Sequence, residues 1–165
     1  MPEHVLAALR DGALLSVAAS ALLMITLRLN PRLLIKHFPE EMREAVPPLT
    51  PAESRTGRLI GLLLVALLAG GPLVSTLAMA HAAPDTTFAD RALHAFVVGM
   101  VFNLADWLVL DEFWLGLFRP RWAIPPGAEH IPVRFEHGRH ARGFLTGTLA
   151  FAVFALLIAL ATAWA

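Results

Sequence analysis

Asn103, Asp106 and Asp111 are separated by three and then five residues in "NLADWLVLDEFW", a run otherwise apolar and aromatic apart from Glu112. An amide both donates and accepts hydrogen bonds, and a carboxylate accepts two or more when ionised. In apolar surroundings such groups can bind a cation, hold a polar solute or carry a proton. On an α-helix, at about 100° per residue, Asn103, Asp106, Trp107, Leu110, Asp111 and Trp114 share one broad face. The same period turns Glu112 away from that face.

The element that must position them is a membrane helix. The chain is 57% hydrophobic and only 16% charged, whereas soluble domains carry about 25% charged residues. Gly12–Leu27, Leu59–Ala80 and Gly143–Ala165 contain no Asp, Glu, Lys, Arg or His over 16, 22 and 23 residues. Crossing the hydrocarbon core takes roughly 20 mainly apolar residues, with a range of about 17–25. The first window reaches that length if Arg28 extends its guanidinium to the interface. A fourth candidate, Ala92–Phe118, contains the polar run. The sequence therefore predicts an all-α, four-helix transmembrane bundle, a single membrane domain over residues 1–165. Its spans are residues 10–29, 58–80, 91–118 and 142–164, and its long connections are residues 30–57 and 119–141.

Eleven of the thirteen Lys and Arg residues flank those two connections, leaving Arg10 and Arg91 on the other side. The positive-inside rule then places both connections in the cytoplasm and both termini outside, in a bacterial-type inner membrane. Residues 1–29 read as a span, not a cleaved leader, because the basic residues follow the apolar run instead of preceding it. With no Cys there is neither a disulfide nor a thiolate ligand. The partner expected is the lipid bilayer, with a second copy or another membrane subunit beside it and no nucleic acid.

Asp106 falls within a turn of the bilayer centre, where an acid costs ~2.5–3.5 kcal/mol on insertion scales. No Lys or Arg occupies the middle of any span. Protonation, a bound cation, another subunit or an inward-reaching terminal Arg must therefore neutralise it. Asp111 and Glu112 lie nearer the cytoplasmic interface, where Arg28, Arg58, Arg119 and Arg142 are available. In the second span Pro72 lacks an N–H and frees the Leu68 carbonyl, beside the small residues Gly70 and Gly71. This is either a polar opening at the depth of the acids or a packing kink.

The connections are less informative. Leu33–Met42 reads first as an ordinary solvated connector, with a short interfacial helix as the alternative. Thr50 or Ser54 can cap the second span. The third connection gathers Glu129, His130, Glu136, His137 and His140, weak metal candidates matching neither HExxH nor paired ExxH spacing. A "PPG" turn with solvated side chains is the default, so no metal or cofactor is assigned. His81 and His94 lie on or near the outer side without a second haem ligand at matching depth. Gly143 and Gly147 form a GxxxG face suited to close helix approach.

The polar helix followed by "PPGAE" and a final span resembles an uncharacterised family of small bacterial multi-pass membrane proteins. That family joins an N-x-x-D-x-x-x-x-D helix to a P-G-x-E turn, matched here by Asn103, Asp106, Asp111, Pro126, Gly127 and Glu129. The resemblance covers roughly the last seventy residues and implies no activity. The function expected is binding or translocation of a small solute or cation at Asn103, Asp106 and Asp111, supported by Gly70, Gly71, Pro72, Glu112 and Glu129. The alternatives are a membrane-embedded enzyme, using the third-span acids with the His/Glu-rich connection, and a non-catalytic subunit of a membrane complex. The charge asymmetry yields a direct test of orientation. Single cysteines at Ala83 and Gly127 should react with an impermeant thiol reagent only from outside and only from inside, respectively. The opposite pattern would reverse the topology.

Overall fold

Four long helices have the length and composition to cross a membrane, and small residues bring them together. The computed structural model describes residues 2–118, 120–132 and 137–163. Helix α1 is Pro2–Leu29, and the short α2 is Glu40–Ala45. Helices α3, α4 and α5 are Pro51–Ala82, Phe88–Ala105 and His137–Thr162. No strand occurs among the described residues. α4 continues without a break into a π-helical stretch, Asp106–Phe118, so that the third apolar segment runs Phe88–Phe118.

α4 is the central helix and packs against α1, α3 and α5. Its core partners are Ala8, Leu15 and Ala19 of α1 and Phe151 of α5, which meet Val98 and Phe102. Gly12 and Gly99 make this approach possible. A Cβ on Gly12 would lie 2.7 Å from Val101 Cβ, and one on Gly99 would overlap the Phe151 ring. Hydrocarbon supplies no hydrophobic drive to pair helices, so close packing of this kind supplies the contact. Large apolar side chains such as Leu14, Val17, Leu62, Val74, Leu149 and Val153 remain exposed on the outside of the bundle. That surface suits lipid.

The connections are more ordered than solvated linkers. Where a solvated connector was the favoured reading and a short interfacial helix the other, there are two helical pieces, a 3-10 helix at Pro31–His37 and α2 at Glu40–Ala45. Pro39 explains the interruption. A proline biases the residue before it toward extended backbone, and Phe38 has φ −83 and ψ 160. Thr50 caps α3 in a capping box with Glu53, so that helix begins well before the apolar window. Glu53 also receives Arg32 Nε at 2.9 Å, while Arg32 Nη2 donates to the Pro47 and Pro48 carbonyls at 3.1 Å. One guanidinium thereby ties the first connection to the start of α3. Met42, Val46 and Ala128 form a small buried cluster joining the first and third connections. The third connection is thus partly a packed layer, with a 3-10 turn at Arg121–Ala123.

At the opposite end Arg91 is buried and donates to the Thr162 carbonyl and to Thr86 Oγ1, fastening the start of α4 to the end of α5. The tight seam at Gly99 has a measurable consequence. Gly99→Ala should destabilise the protein by about 1–3 kcal/mol through overpacking. Gly70→Ala, where a Cβ meets nothing within 4 Å, should be neutral or stabilising by up to about 1 kcal/mol. Thermal unfolding in one detergent compares the two, and equal effects would remove Gly99 from the packing account.

Candidate functional site

The residues singled out in the third span divide between two tasks. Asn103 is buried, and its Nδ2 donates to the Phe144 carbonyl at 3.0 Å and to Thr148 Oγ1 at 3.1 Å. The GxxxG face of α5 admits it, since a Cβ on Gly147 would overlap Asn103 Oδ1. Asn103 is therefore a clasp between α4 and α5 as well as part of a cavity wall. Its Nδ2 also lies 3.8 Å from Met100 Sδ, a weak third acceptor.

Asp106 opens the π-helical stretch. Hydrogen bonds there run from i to i+5, so residues five apart become neighbours on one side of the helix. The change of period alters which side chains meet. Asp106 and Asp111 stand one π turn apart, both lining the cavity. Trp107 and Glu112 follow the same rule, with Trp107 Nε1 donating to Glu112 Oε1 at 3.2 Å. Glu112 stays off the cavity wall, as expected for a residue turned from that face, although the Trp107 indole reaches it. Trp107 in turn stacks on Phe144 with ring centroids 4.6 Å apart.

Glu112 also gathers two histidines. His137 Nδ1 lies 3.0 Å from Glu112 Oε2, and His140 Nδ1 lies 3.6 Å from Oε1. Both histidines belong to the first turn of α5, which starts ahead of the expected span and puts i and i+3 on one face. Arg139 donates to the His37 carbonyl. The described ion-pair partners of Glu112 are thus histidines, whereas arginines were expected.

The cavity occupies about 1580 Å³ at the end of the bundle that carries the basic connections. Leu23 and Leu27 of α1 and Leu64 and Leu68 of α3 give it apolar walls. Lys36, Arg43, Arg58 and Arg139 contribute cationic groups to its lining. Asp111 lies within electrostatic reach of His37, Arg139, His140 and Glu112, and Asp106 within reach of Asp111. Among the described residues Asp106 has no ion-pair partner. Among the described residues the arrangement joins an acid without an ion-pair partner to a second acid within electrostatic reach of several bases.

Other candidates lie elsewhere. Gly70, Gly71 and Pro72 do not line the cavity. Pro72 is buried, Gly71 packs toward Leu15, and the Pro72 carbonyl accepts from Thr76 Oγ1 at 2.7 Å. Glu129 is exposed and closes the P-G-x-E turn, its Oε2 accepting from Gly127 N at 2.8 Å. Gly127 holds φ +98, a left-handed conformation that glycine adopts without steric cost. His130 is exposed, and Glu136, Arg119 and Arg134 lie outside the described residues. Among the described residues no three His, Cys, Asp or Glu side chains converge as metal ligands. Phe144, Thr148 and Arg139 were not singled out in the sequence. A hydroxyl immediately after the second glycine of GxxxG was the available signal for Thr148.

Comparison with protein-family models, with curated proteins and with solved structures gave no match. The functional reading therefore rests on the geometry of this chain. The clasp is testable by stability alone. Asn103→Ala should lower stability by about 0.6–2 kcal/mol, the range for interhelical hydrogen bonds in membranes. With Thr148→Ala already present, the same change should lower it less, since one bond is gone. Additive losses measured by unfolding in mixed detergent would remove the Asn103–Thr148 coupling.

Proposed function

We propose that this chain is a multi-pass protein of a bacterial inner membrane that binds, and by that route translocates, a small cationic solute at Asp106 and Asp111. The observation carrying the reading is Asp106 itself, an acid on a cavity wall inside an apolar helix with no ion-pair partner among the described residues. Intramembrane acids are costly, and those facing a cavity commonly mark ion or substrate paths. A cation entering the cavity supplies the missing counter-charge to Asp106, with Asp111 one π turn away as a second acceptor. The apolar walls match the carbon skeleton of an organic cation, and a cavity of this size exceeds what a bare ion requires. The basic connections at the same end support a cytoplasmic opening and the N-out/C-out orientation.

A second reading is a membrane-embedded enzyme. The convergence of Glu112 with His137 and His140 favours it, since a carboxylate that orients an imidazole is a general acid–base arrangement.

Calorimetry on the full chain in lipid nanodiscs, with tetramethylammonium, sodium and magnesium as separate probes, distinguishes these readings. At least one probe should bind. Asp106→Asn and Asp111→Asn should each weaken it tenfold or more, a change of about 1.4 kcal/mol. Glu112→Gln, outside the acid pair, should have a smaller effect. Absence of binding by all three probes, or wild-type affinity in both acid variants, would overturn the cation reading.

A further inference from the structure

A second polar cluster lies in the half of the bundle opposite the cavity. Ser75 Oγ of α3 stands 2.7 Å from Asp11 Oδ2 of α1 and 2.7 Å from His94 Nε2 of α4. His94 is 4% exposed and Ser75 6% exposed. The Asp11 side chain is 23% exposed and also pairs through Oδ1 with Arg10 at 2.8 Å. His94 Nδ1 is buried and faces the His4 backbone without closing a hydrogen bond. Twelve residues of α4 separate His94 from Asp106, about 18 Å at 1.5 Å per residue. The two sites are distinct.

The valences constrain the protons. A carboxylate only accepts, and a hydroxyl has one proton to give. With Asp11 ionised, Ser75 donates to Asp11, and His94 must then donate from Nε2 to Ser75. This order is not that of a hydrolytic triad, in which the imidazole stands between hydroxyl and carboxylate. Here the hydroxyl is the bridge, so no base is oriented to activate it. A bridging hydroxyl is suited to passing protons.

We propose that Asp11, Ser75 and His94 form a proton-binding relay that holds one extra proton, shared between the buried imidazole and the carboxyl group. With that proton the cluster exists in two forms of equal composition. In one, His94 carries protons on both ring nitrogens and Asp11 is ionised. In the other, the Nε2 proton has moved to Ser75 Oγ, and the hydroxyl's own proton has moved to Asp11 Oδ2. The second form leaves a neutral imidazole protonated at Nδ1, an intact hydroxyl and a carboxylic acid. One N–H bond and one O–H bond break while two O–H bonds form, so atoms and charge balance. Asp11, the more exposed end, exchanges its proton with water.

Of the surrounding titratable groups, His4 lies within electrostatic reach of His94 and of Asp90, and most of the others are engaged elsewhere. α1 brings His4 and Arg10, the latter already on Asp11. α4 brings Asp90, which is engaged by Thr87, and Arg91, which is engaged by Thr162 and Thr86. On α3 the nearest titratable side chain is His81, exposed and bonded to the Leu77 carbonyl at 2.9 Å. The outer half of α5 adds none.

The full chain in nanodiscs tests the relay without reference to the cavity. Acidification across about pH 8 to 5 brackets the range in which histidine charge changes. The carboxyl C=O infrared band is assigned with Asp11→Asn, and the imidazole nitrogen resonances with His94→Gln. In wild-type protein both signals should move with a common midpoint, as expected of coupled groups. Ser75→Ala should separate the two midpoints, and Ser75→Thr should restore the common one. Asp106→Asn should leave the coupling intact, which separates failure of the relay from failure of the cation site. Independent midpoints in wild type, or unchanged coupling in Ser75→Ala, would overturn the proposal. If Ser75→Ala does not fold, the wild-type midpoints decide alone.

Discussion

A helix that crosses a bilayer has no water with which to satisfy a polar side chain, and α4 with its π-helical continuation, long and apolar enough to cross one, carries several. Each must be met by protein, by a ligand or by a proton. The rest of the bundle is arranged around that demand. α4 therefore occupies the centre, where α1, α3 and α5 can each supply a partner. Arg91 finds the end of α5, His94 the hydroxyl of Ser75, and Asn103 the Phe144 carbonyl and Thr148. Asp106, which lines the cavity with Asn103, has no ion-pair partner among the described residues. The helix is polar in places because it is central, and it can be central because its neighbours approach closely.

Close approach depends on glycine at three positions. Gly12 brings α1 against Val101, Gly99 accepts the Phe151 ring, and Gly147 accepts the Asn103 amide. Dispersion between tightly packed groups replaces the hydrophobic drive that water would give a soluble bundle. The same seams fix the depth and rotation of α4, and so decide which of its polar groups face the cavity. Packing and site are consequently coupled. A methyl group added at Gly147 would displace Asn103, one π-helix boundary away from Asp106.

The π-helical stretch is where the geometry of the site departs from ordinary helical reasoning. An α-helix would present Asp106 and Asp111 on one broad face and turn Glu112 outward. The i to i+5 pattern sets Trp107 over Glu112, and Glu112 then engages the first turn of α5. Three acids are sorted by this change into one without an ion-pair partner among the described residues, one within reach of several bases and one paired with histidines. Two acids in one cavity are thus given different electrostatic settings by backbone period and by the basic connections around them.

How much of this was legible in the sequence follows from the range of each interaction. Span length and number depend on runs of apolar residues, a local property, and all four were readable. So were the Thr50 cap, whose partner lies three residues away, and the candidacy of Asp106, an acid in an apolar window. The break at Phe38 was also written locally, in Pro39, although the periodicity of Leu33–Met42 obscured it. The meeting of Asp11, Ser75 and His94 was not readable, because 64 and 19 residues separate Ser75 from its two partners. Nor was the task of Asn103, which depends on the bare backbone of Gly147 on another helix. The partners of Glu112 were not readable either, because Trp107, His137 and His140 meet it through a π-helical period that the sequence of an apolar helix does not declare. Hydropathy determined which segments are long and apolar enough to cross a membrane; only helix-on-helix contact decided which polar groups within them meet.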